Sequence, residues 1–491
     1  MTTRKHGKGT GTPDGTPTGT PADGVNPDRR RFIAGAAAAV GGLALNSQVA
    51  GSSKSSALPA LPDPASCGID HIVVVMMENR SFDHFLGWVP GADGMQAGLS
   101  FKDSSGKVYQ THDLAPRYQN CFLADPDHSY EGGRTEINDG AMDGFLLTQP
   151  KGDTFPIGYY TAATLPFFKG CADNWTICDR YFSGILAPTS PNRFYMHAGQ
   201  TDRVTNTTTI STLPTVWDGM LGAGRSVAYY YEDVSYTALW GSKYKSFSKK
   251  FTQFAADVAG GKLADLTFVD NVGTSVHELI GVSRDDHPYA DVRYGQAFLN
   301  QVYNAIRQGP HWATTLMIIN YDEWGGFYDH VPPPYAPVTG QEFAATGNDG
   351  RLGCRVPCVL IGPRARRGVV DHNQYDPNSI LNMIAWRFGF APLGARAGST
   401  NIAHALDFVN PPNGYAPSFK VPLGPFGGLA IDACLPLGDL LGADDPLAPI
   451  LSPILGPLNP VINKLSVSDQ RRVEHEKELS DLRALGKRYG F

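Results

Sequence analysis

The stretch Asp70–Gly87, DHIVVVMMENRSFDHFLG, is the part of the sequence around which the rest of the chain is organised. Its apolar run Ile72–Met77 is rich in β-branched residues and predicts a strand that is buried on both faces, as in a parallel sheet. Ser81 then favours a helix start. Glu78 and Asn79 stand between strand and helix, at the strand end where α/β sheets bind ligands, and would offer hard oxygens to a cation. A capped turn with two incidental polar residues is the alternative.

A second stretch repeats this pattern. Thr314–Asn320, TTLMIIN, predicts another buried strand, and Asp322 and Glu323 follow it. Adjacent carboxylates at a strand end repel each other, and a divalent cation is the simplest compensation. Gly325 and Gly326 would let the backbone come close to a ligand. Further strand-like runs occur at Val227–Tyr231, Leu266–Val269 and Val356–Ile361.

The segment Thr189–Arg193, TSPNR, offers a hydroxyl group at a predicted helix start. Pro191 suits the first turn of a helix, with Thr189 or Ser190 at its cap. A hydroxyl there faces free backbone N–H groups and the positive helix end, which favour an alkoxide and a bound phosphate. A divalent cation nearby would lower the pKa of that hydroxyl. A helix cap without chemistry is the alternative.

Three histidines, His128, His287 and His330, stand in polar segments of the sequence. Neutral imidazoles near a phosphoryl group would supply protons or bind the oxygen of the leaving group. For a histidine in such a loop, surface exposure without function is the alternative.

Four ordered motifs together resemble the bacterial phospholipase C and acid phosphatase family, whose pattern plant non-specific phospholipases C share. The motifs are Glu78–His84, Thr189–Arg193, Asp286–Pro288 and Asp322–His330, within a resemblance that runs from about Asp70 to Ile380. This resemblance implies an α/β fold, namely a three-layer α/β/α alkaline-phosphatase-like sandwich with a mostly parallel central sheet. It also implies a single divalent metal ion of unknown identity and a covalent phospho-enzyme.

The resemblance also implies roles for individual residues. Thr189 would be the nucleophile, His128 and His287 active-site histidines, and Arg193 and His330 further members of the site. The implied metal ligands are Glu78, Asn79, Thr189, Asp322 and Glu323. One segment departs from the family pattern, because Asp376–Ser379 reads Asp-Pro-Asn-Ser where the family often has Asp-His-Thr-Ser. The role of that histidine is lost or has moved to His372, so we leave this segment out of the site.

Composition and the N-terminal residues bear on location. The 491-residue chain is 42% hydrophobic and 18% charged, a composition typical of globular proteins. Its net charge of −6 offers no basic field that would attract nucleic acid. The composition of residues 1–28, rich in Gly, Thr, Pro and Asp, predicts disorder. Arg29 and Arg30 precede a mildly apolar run and resemble a twin-arginine export signal, an apolar helix with a basic flank being the alternative. We therefore expect the twin-arginine export machinery as a partner and a periplasmic or secreted location.

We expect three parts in the chain. Residues 1–57 form a disordered tail with the signal peptide, residues 66–410 the phosphoesterase catalytic domain, and residues 411–491 a Leu/Pro/Gly-rich extension. A terminal helix over residues 468–487, which carries Val473, Leu479, Leu482 and Leu485, would pack on the catalytic domain. The seven cysteines show no zinc spacing, and the sequence does not pair them.

The sequence therefore predicts an exported, metal-dependent phosphoesterase that is phospholipase C-like and cleaves phospholipid diesters through a phospho-threonine. An acid phosphatase acting on phosphomonoesters at the same site is the first alternative, and an inactive exported lipid- or surface-binding protein is the second. A one-metal site with neutral histidines compensates little charge and so favours the diester. The partner would be a phospholipid or small phosphate ester, with contact to a membrane surface. Five aromatic residues would line an apolar approach, or belong to the core: Tyr159, Tyr160, Trp175, Phe327 and Tyr328.

Overall fold

The computed structural model describes residues 58–119, 124–273, 283–423 and 470–491. The chain divides into two compact units, Met1–Ala57 and Leu58–Phe491, and all described residues belong to the second. The predicted tail and export signal lie outside the described residues, as do Cys121, Cys434 and most of the C-terminal extension.

An eight-stranded sheet forms the centre of the second unit, in the order β12-β6-β11-β10-β1-β9-β7-β8. All neighbouring pairs are parallel except those made by β11, which runs antiparallel to β10 and β6. Its strands are β1 His71–Met77, β6 Thr176–Cys178, β7 Val227–Tyr231, β8 Ser248–Lys250, β9 Leu266–Asp270, β10 Thr315–Tyr321, β11 Cys358–Ile361 and β12 Val369–Asp371. Two small pairs join β2 Ser100–Lys102 to β3 Val108–Gln110 and β4 His112–Asp113 to β5 Gly158–Tyr159.

Helices surround this sheet. They are α1 Phe82–Leu86, α2 Tyr130–Ile137, α3 Pro166–Asn174, α4 Thr189–Ala198, α5 Val216–Gly222, α6 Phe254–Ala259, α7 Val292–Gln308, α8 Gly340–Thr346, α9 Pro377–Phe388 and α10 Gln470–Tyr489. α7 packs against α3 and α6, whereas α9 packs against α4 and α5. Every residue of β10 is buried, so both faces of the central sheet are covered. The predicted α/β/α class with a mostly parallel sheet is confirmed. No helix among the described residues is long and apolar enough to cross a membrane.

The two strands predicted from apolar runs are confirmed within a residue or two. β1 and β10 are direct neighbours, paired in parallel from His71 with Thr315 to Met77 with Tyr321. On its other side β1 pairs with β9, where Met76 lies beside Asp270. The central strands therefore end side by side, and the polar residues that follow them meet at one edge of the sheet.

Two details of the helices differ from expectation. Ser81 caps α1 as predicted, since its side chain accepts from the His84 N–H. For α4, however, the N-cap is Pro188, and Thr189 is the first residue of the helix rather than its cap. In α10, Leu479, Leu482 and Leu485 are buried as predicted. Val473 is 58% exposed, so this apolar residue of the helix does not share the burial of the three leucines.

Candidate active site

The parallel register of β1 and β10 joins the first and last motifs through their backbones. The N–H of Asn79 donates to Oδ1 of Asp322 at 3.2 Å, and the N–H of Arg80 donates to the carbonyl of Glu323 at 3.1 Å. Asn79 has a φ of +58°, a left-handed conformation that asparagine tolerates better than most residues. Each motif thus holds the other in place.

Gly325 is needed at this junction for a reason the sequence did not reveal. Its φ is +64°, and an added Cβ would lie 2.4 Å from the carbonyl oxygen of Asn79. The neighbouring Gly326, at φ +70°, approaches the backbone of Asp127 in the same way. Both glycines therefore allow close packing of chain against chain, whereas the sequence predicted a close approach to a ligand.

Helix α4 brings the predicted nucleophile to the same edge of the sheet. Thr189 is buried, and its hydroxyl donates to Oε1 of Glu78 at 3.4 Å. One turn later, Arg193 donates from Nε to Asp322 at 3.1 Å and from Nη1 to Asp270 at 2.8 Å. Its Nη2 lies 3.9 Å from Glu78. We call this group the Thr189 cluster: Glu78, Asn79, Thr189, Arg193, Asp270, Asp322 and Glu323.

The Thr189 cluster carries more negative than positive groups. Four buried carboxylates, those of Glu78, Asp270, Asp322 and Glu323, stand with the guanidinium of Arg193 in this group. Burial raises the pKa of Asp322 to about 6 and that of Glu323 well above its ordinary value. The members of the cluster thus compensate its carboxylates incompletely.

Buried polar atoms without hydrogen bonds also indicate that the cluster fits a cation. The side-chain oxygen and nitrogen of Asn79 and Oε1 of Glu323 are buried without a hydrogen-bond partner. A buried polar atom without a partner is costly, and carboxylate and amide oxygens are the ligands that hard divalent cations prefer. The residues of the Thr189 cluster therefore fit a divalent metal ion, with Glu78, Asn79, Thr189, Asp322 and Glu323 able to hold it.

His128 lies beside this cluster. Its Nε2 is 3.9 Å from Oε1 of Glu323, and its Nδ1 donates to the carbonyl of Pro126 at 2.8 Å. Because a carbonyl only accepts, the neutral imidazole carries its proton on Nδ1 and leaves Nε2 able to take one. His128 is thus oriented to exchange protons at the cluster.

His287 is fully buried near the loop that carries Asp125 and His128. Its Nε2 lies 3.6 Å from Oδ2 of Asp125, and its ring stacks on that of His475 with 3.8 Å between centroids. Burial lowers the pKa of His287 well below its ordinary value, and the neighbouring His475, His128 and Arg80 act in the same direction. His287 is therefore a neutral imidazole at neutral pH.

His330 belongs to a different group. Its Nδ1 lies 2.6 Å from Oδ2 of Asp83, and Arg355 donates to Asp83 at 3.2 Å and to Asp329 at 3.0 Å. Among the residues that the structure describes, Asp83, Asp329 and His330 offer three ligand atoms within 4.8 Å of one another, which a metal would need. The guanidinium of Arg355 already supplies a positive charge there. We call Asp83, Asp329, His330 and Arg355 the Arg355 cluster.

Other residues singled out from the sequence lie elsewhere. His372 is 59% exposed and pairs with Asp179, and Asp376 caps α9 by accepting from Ser379. The expected aromatic approach is wrong, since its large rings are buried in the main hydrophobic core: Tyr160, Trp175, Phe327 and Tyr328. Tyr159 is half-buried and packs against the same core.

Sequence reasoning missed two residues next to these groups. Asp270, the last residue of β9, accepts from Arg193 and from the Tyr229 hydroxyl at 2.5 Å. A carboxylate at the end of a strand is a usable signal, but the apolar run that predicts β9 stops one residue earlier. His475 is far away in sequence, and no local pattern pointed to it.

The chain is similar to known proteins over more than half of its length. The model of the Phosphoesterase family matches residues 69–391, which is more than half of the chain. The chain is 31% identical over 349 residues to non-specific phospholipase C1 of Arabidopsis thaliana, covering 63% of each protein. It is 30% identical over 469 residues to phospholipase C B of Mycobacterium tuberculosis, covering 80% of this chain and 88% of that protein.

Similarity to solved structures is weak. A lipoteichoic acid synthase from Listeria monocytogenes gives a TM-score of 0.38 at 8% identity, over 70% of this chain and 78% of that one. A score this low adds nothing to the sequence match. The family match extends from just before β1 to just beyond α9 and includes β1, β10, α4 and the Thr189 cluster. This chain belongs to the Phosphoesterase family.

Proposed function

We propose that this protein is an exported, metal-dependent phosphoesterase of the phospholipase C type, which cleaves phosphodiesters through a phospho-threonine. The observation that carries the proposal is the position of Thr189. Its hydroxyl donates to Glu78 at the start of the ten-residue helix α4, next to carboxylates that lack full compensation. A hydroxyl in such a setting is an activated nucleophile.

The residues of the site suggest the following steps. Thr189 Oγ1 attacks phosphorus and gives up its proton, while the alcohol of the substrate leaves and takes a proton. The positive end of α4 and Arg193 stabilise the negative charge that develops on the phosphoryl oxygens. His128 Nε2 is placed to accept and return protons, and neutral His287 to donate a hydrogen bond to an oxygen.

A water molecule then attacks the phospho-threonine. The head-group phosphate leaves and the hydroxyl of Thr189 is regenerated, which completes the hydrolysis. A divalent metal ion bound by Glu78, Asn79, Asp322 and Glu323 would supply positive charge to the phosphoryl oxygens and lower the pKa of the threonine hydroxyl.

Thr189 is preferred over Ser190 as the nucleophile for a structural reason. The hydroxyl of Thr189 is bonded to the carboxylate of Glu78 within the cluster, at 3.4 Å. His330 has no place in the proposed reaction, because its contacts are with Asp83, Asp93 and Arg355.

The relatives named phospholipase C support a phospholipid diester as substrate. The alignment spans only 63% of the length of the Arabidopsis protein, so its activity is carried over here as a proposal. A phosphomonoesterase acting at the same residues is the second candidate, since monoesters need the same nucleophile and only more positive charge.

The test is a kinetic comparison at pH 5 to 8. We expect kcat/KM for p-nitrophenylphosphorylcholine to exceed that for p-nitrophenyl phosphate, and we expect vesicles of phosphatidylcholine to release phosphocholine. Faster monoester hydrolysis with intact vesicles would instead favour the phosphatase. No turnover of either ester by metal-loaded protein would contradict the proposal and leave a binding protein.

Export is proposed on the sequence of the N-terminal residues alone. Replacing both Arg29 and Arg30 by lysine should leave the protein in the cytoplasm, as measured by fractionation of expressing cells. Unchanged export would mean that another pathway carries the protein.

A further inference from the structure

A cavity of about 340 Å³ lies at the start of α4, where Pro188 precedes the proposed nucleophile. One wall is the loop Asp125–Ser129, which includes His128, and another is Pro188, the residue before Thr189. The terminal helix α10 closes the opposite side with Arg471, Glu474, His475 and Glu478. The cavity is therefore bounded by the catalytic loop and by a helix that lies outside the family match.

Helix α10 is anchored to the catalytic part of the molecule at this place. Arg471 donates to the carbonyl of Asp125 at 2.8 Å and to that of Thr148 at 2.6 Å. Four residues later His475 stacks on His287, with 4° between the ring planes. The helix thus contacts the same loop and the same histidine that the proposed reaction uses.

Asn206 links the helix to Ser190, the residue that follows the proposed nucleophile. Its Oδ1 accepts from the N–H of Ser190 at 2.8 Å, and its Nδ2 donates to Oε2 of Glu478 at 2.7 Å. Glu478 is thereby held one side chain away from the backbone that follows Thr189. The carboxylate is partly buried and fixed in orientation.

The lining of the cavity is acidic. Its described residues include four carboxylates, those of Asp125, Asp127, Glu474 and Glu478, beside the guanidinium of Arg471. Burial raises the pKa of Glu478 above its ordinary value, against the opposing effects of His475 and Asn206. A cationic group in the cavity would be attracted by the carboxylates of this lining. Apart from two histidines, the described lining has no aromatic residue, so carboxylates and not aromatic faces would recognise the cation.

We infer that α10 forms a wall of the pocket for the alcohol that stays on phosphorus, and that Glu474 and Glu478 select an alcohol bearing an ammonium group. This inference rests on the proposed function. Glu478, which Asn206 links to the backbone of Ser190, is the main specificity-determining residue, and the more exposed Glu474 assists it. A head group with a second negative charge is disfavoured in the same pocket.

The experiment compares two chromogenic diesters that share a leaving group. p-Nitrophenylphosphorylcholine and methyl p-nitrophenyl phosphate release the same p-nitrophenolate and carry the same charge on phosphorus, but only the first has a cation on the retained alcohol. The wild type should prefer the choline ester. Glu478→Gln keeps an acceptor for Asn206 and should lower kcat/KM for the choline ester about five- to tenfold, with the methyl ester nearly unchanged.

Three further variants keep the outcome decisive. Glu474→Gln, at an exposed position, should lower the same ratio less, and Glu478→Lys should lower it further than Glu478→Gln. Asp481→Asn is the matched control, because Asp481 lies on α10, pairs with Lys477 on the surface, and should leave the ratio unchanged. Circular dichroism and thermal melting establish that each variant is folded.

An unchanged ratio in folded Glu474→Gln and Glu478→Gln, or an equal loss for both esters, would overturn the inference. The proposed function fails differently. In that case the metal-loaded wild type would hydrolyse neither diester, and the inference about the pocket would fall with it.

Discussion

The first and last motifs of this chain build two buried clusters of opposite character. Glu78 and Asn79 join Asp322 and Glu323 in the Thr189 cluster, whereas Asp83, a few residues later in the first motif, joins the Arg355 cluster. The same pair of segments thus supplies acidic residues to both places. What separates the clusters is how completely their charges and polar atoms are met.

In the Arg355 cluster, hydrogen bonds within the protein satisfy the buried polar atoms. Asp83 accepts from Met95, His330 and Arg355, and Asp329 accepts from Val331 and Arg355. The side-chain polar atoms of these four described residues all have a hydrogen-bond partner where they are buried. Such a group is expected to hold the motif loops together.

In the Thr189 cluster, by contrast, hydrogen bonds do not satisfy all the buried polar atoms. Asn79 and Glu323 keep buried polar atoms without hydrogen bonds, and the cluster holds four carboxylates and one arginine. Burial raises the pKa of Asp322 and of Asp329 to about 6, so burial alone does not distinguish the two clusters. Unsatisfied atoms, and not acidity, therefore mark the site that fits a cation.

The greatest loss of activity should come from replacing Thr189, the proposed nucleophile. Thr189→Ala should lower kcat for a p-nitrophenyl diester about 10⁴-fold or more, because the group that forms the covalent intermediate is gone. Thr189→Ser should retain measurable activity. Ser190→Ala is the matched control and should stay active; an inactive Ser190→Ala beside an active Thr189→Ala would mean that the neighbouring hydroxyl is the nucleophile.

Breaking the Arg355 cluster should affect stability more than chemistry. Arg355→Met leaves Asp83 and Asp329 buried without their cation and should lower the free energy of unfolding by about 3–5 kcal/mol. The folded fraction should keep its metal and its KM. Denaturant unfolding measures the first and steady-state kinetics the second; an Arg355→Met protein of wild-type stability that had lost its metal would reverse the roles of the clusters.

A smaller effect should separate the histidines. His128→Ala and His287→Ala should each lower kcat about 10²–10³-fold and alter the pH–rate profile while the metal content stays the same. His330→Gln, in the Arg355 cluster, should change kcat by less than about tenfold. Loss of metal in His128→Ala would instead make that histidine a ligand.

Much of the fold could be predicted from local sequence, because the short apolar runs of β1 and β10, rich in β-branched residues, are typical of strands buried in a sheet. Helix α4 begins earlier than predicted. Pro188, which makes no side-chain capping bond, occupies the N-cap position that was predicted for Thr189 or Ser190. Asp270 was missed because sequence does not tell that β9 lies beside β1. Neighbouring strands, and not neighbouring residues, assemble the cluster.

The placement of His330 was harder to predict for a related reason. It follows Asp322 and Glu323 by a few residues, yet the left-handed turns at Gly325 and Gly326 redirect the chain toward Asp83 and Arg355. His475 reaches the site from the C-terminal helix, far beyond His287 in the sequence. Local sequence patterns predict neither contact.

A divalent metal ion should bind in the Thr189 cluster and not in the Arg355 cluster, and the proposed function depends on this difference. Elemental analysis of Asp322→Asn and Asp83→Asn after identical metal loading and dialysis is the decisive measurement, since each variant removes one buried carboxylate from one cluster. We predict that Asp83→Asn keeps the metal content of the wild type and that Asp322→Asn loses it. Metal retained in Asp322→Asn and lost from Asp83→Asn would show that the two clusters have been assigned the wrong way round.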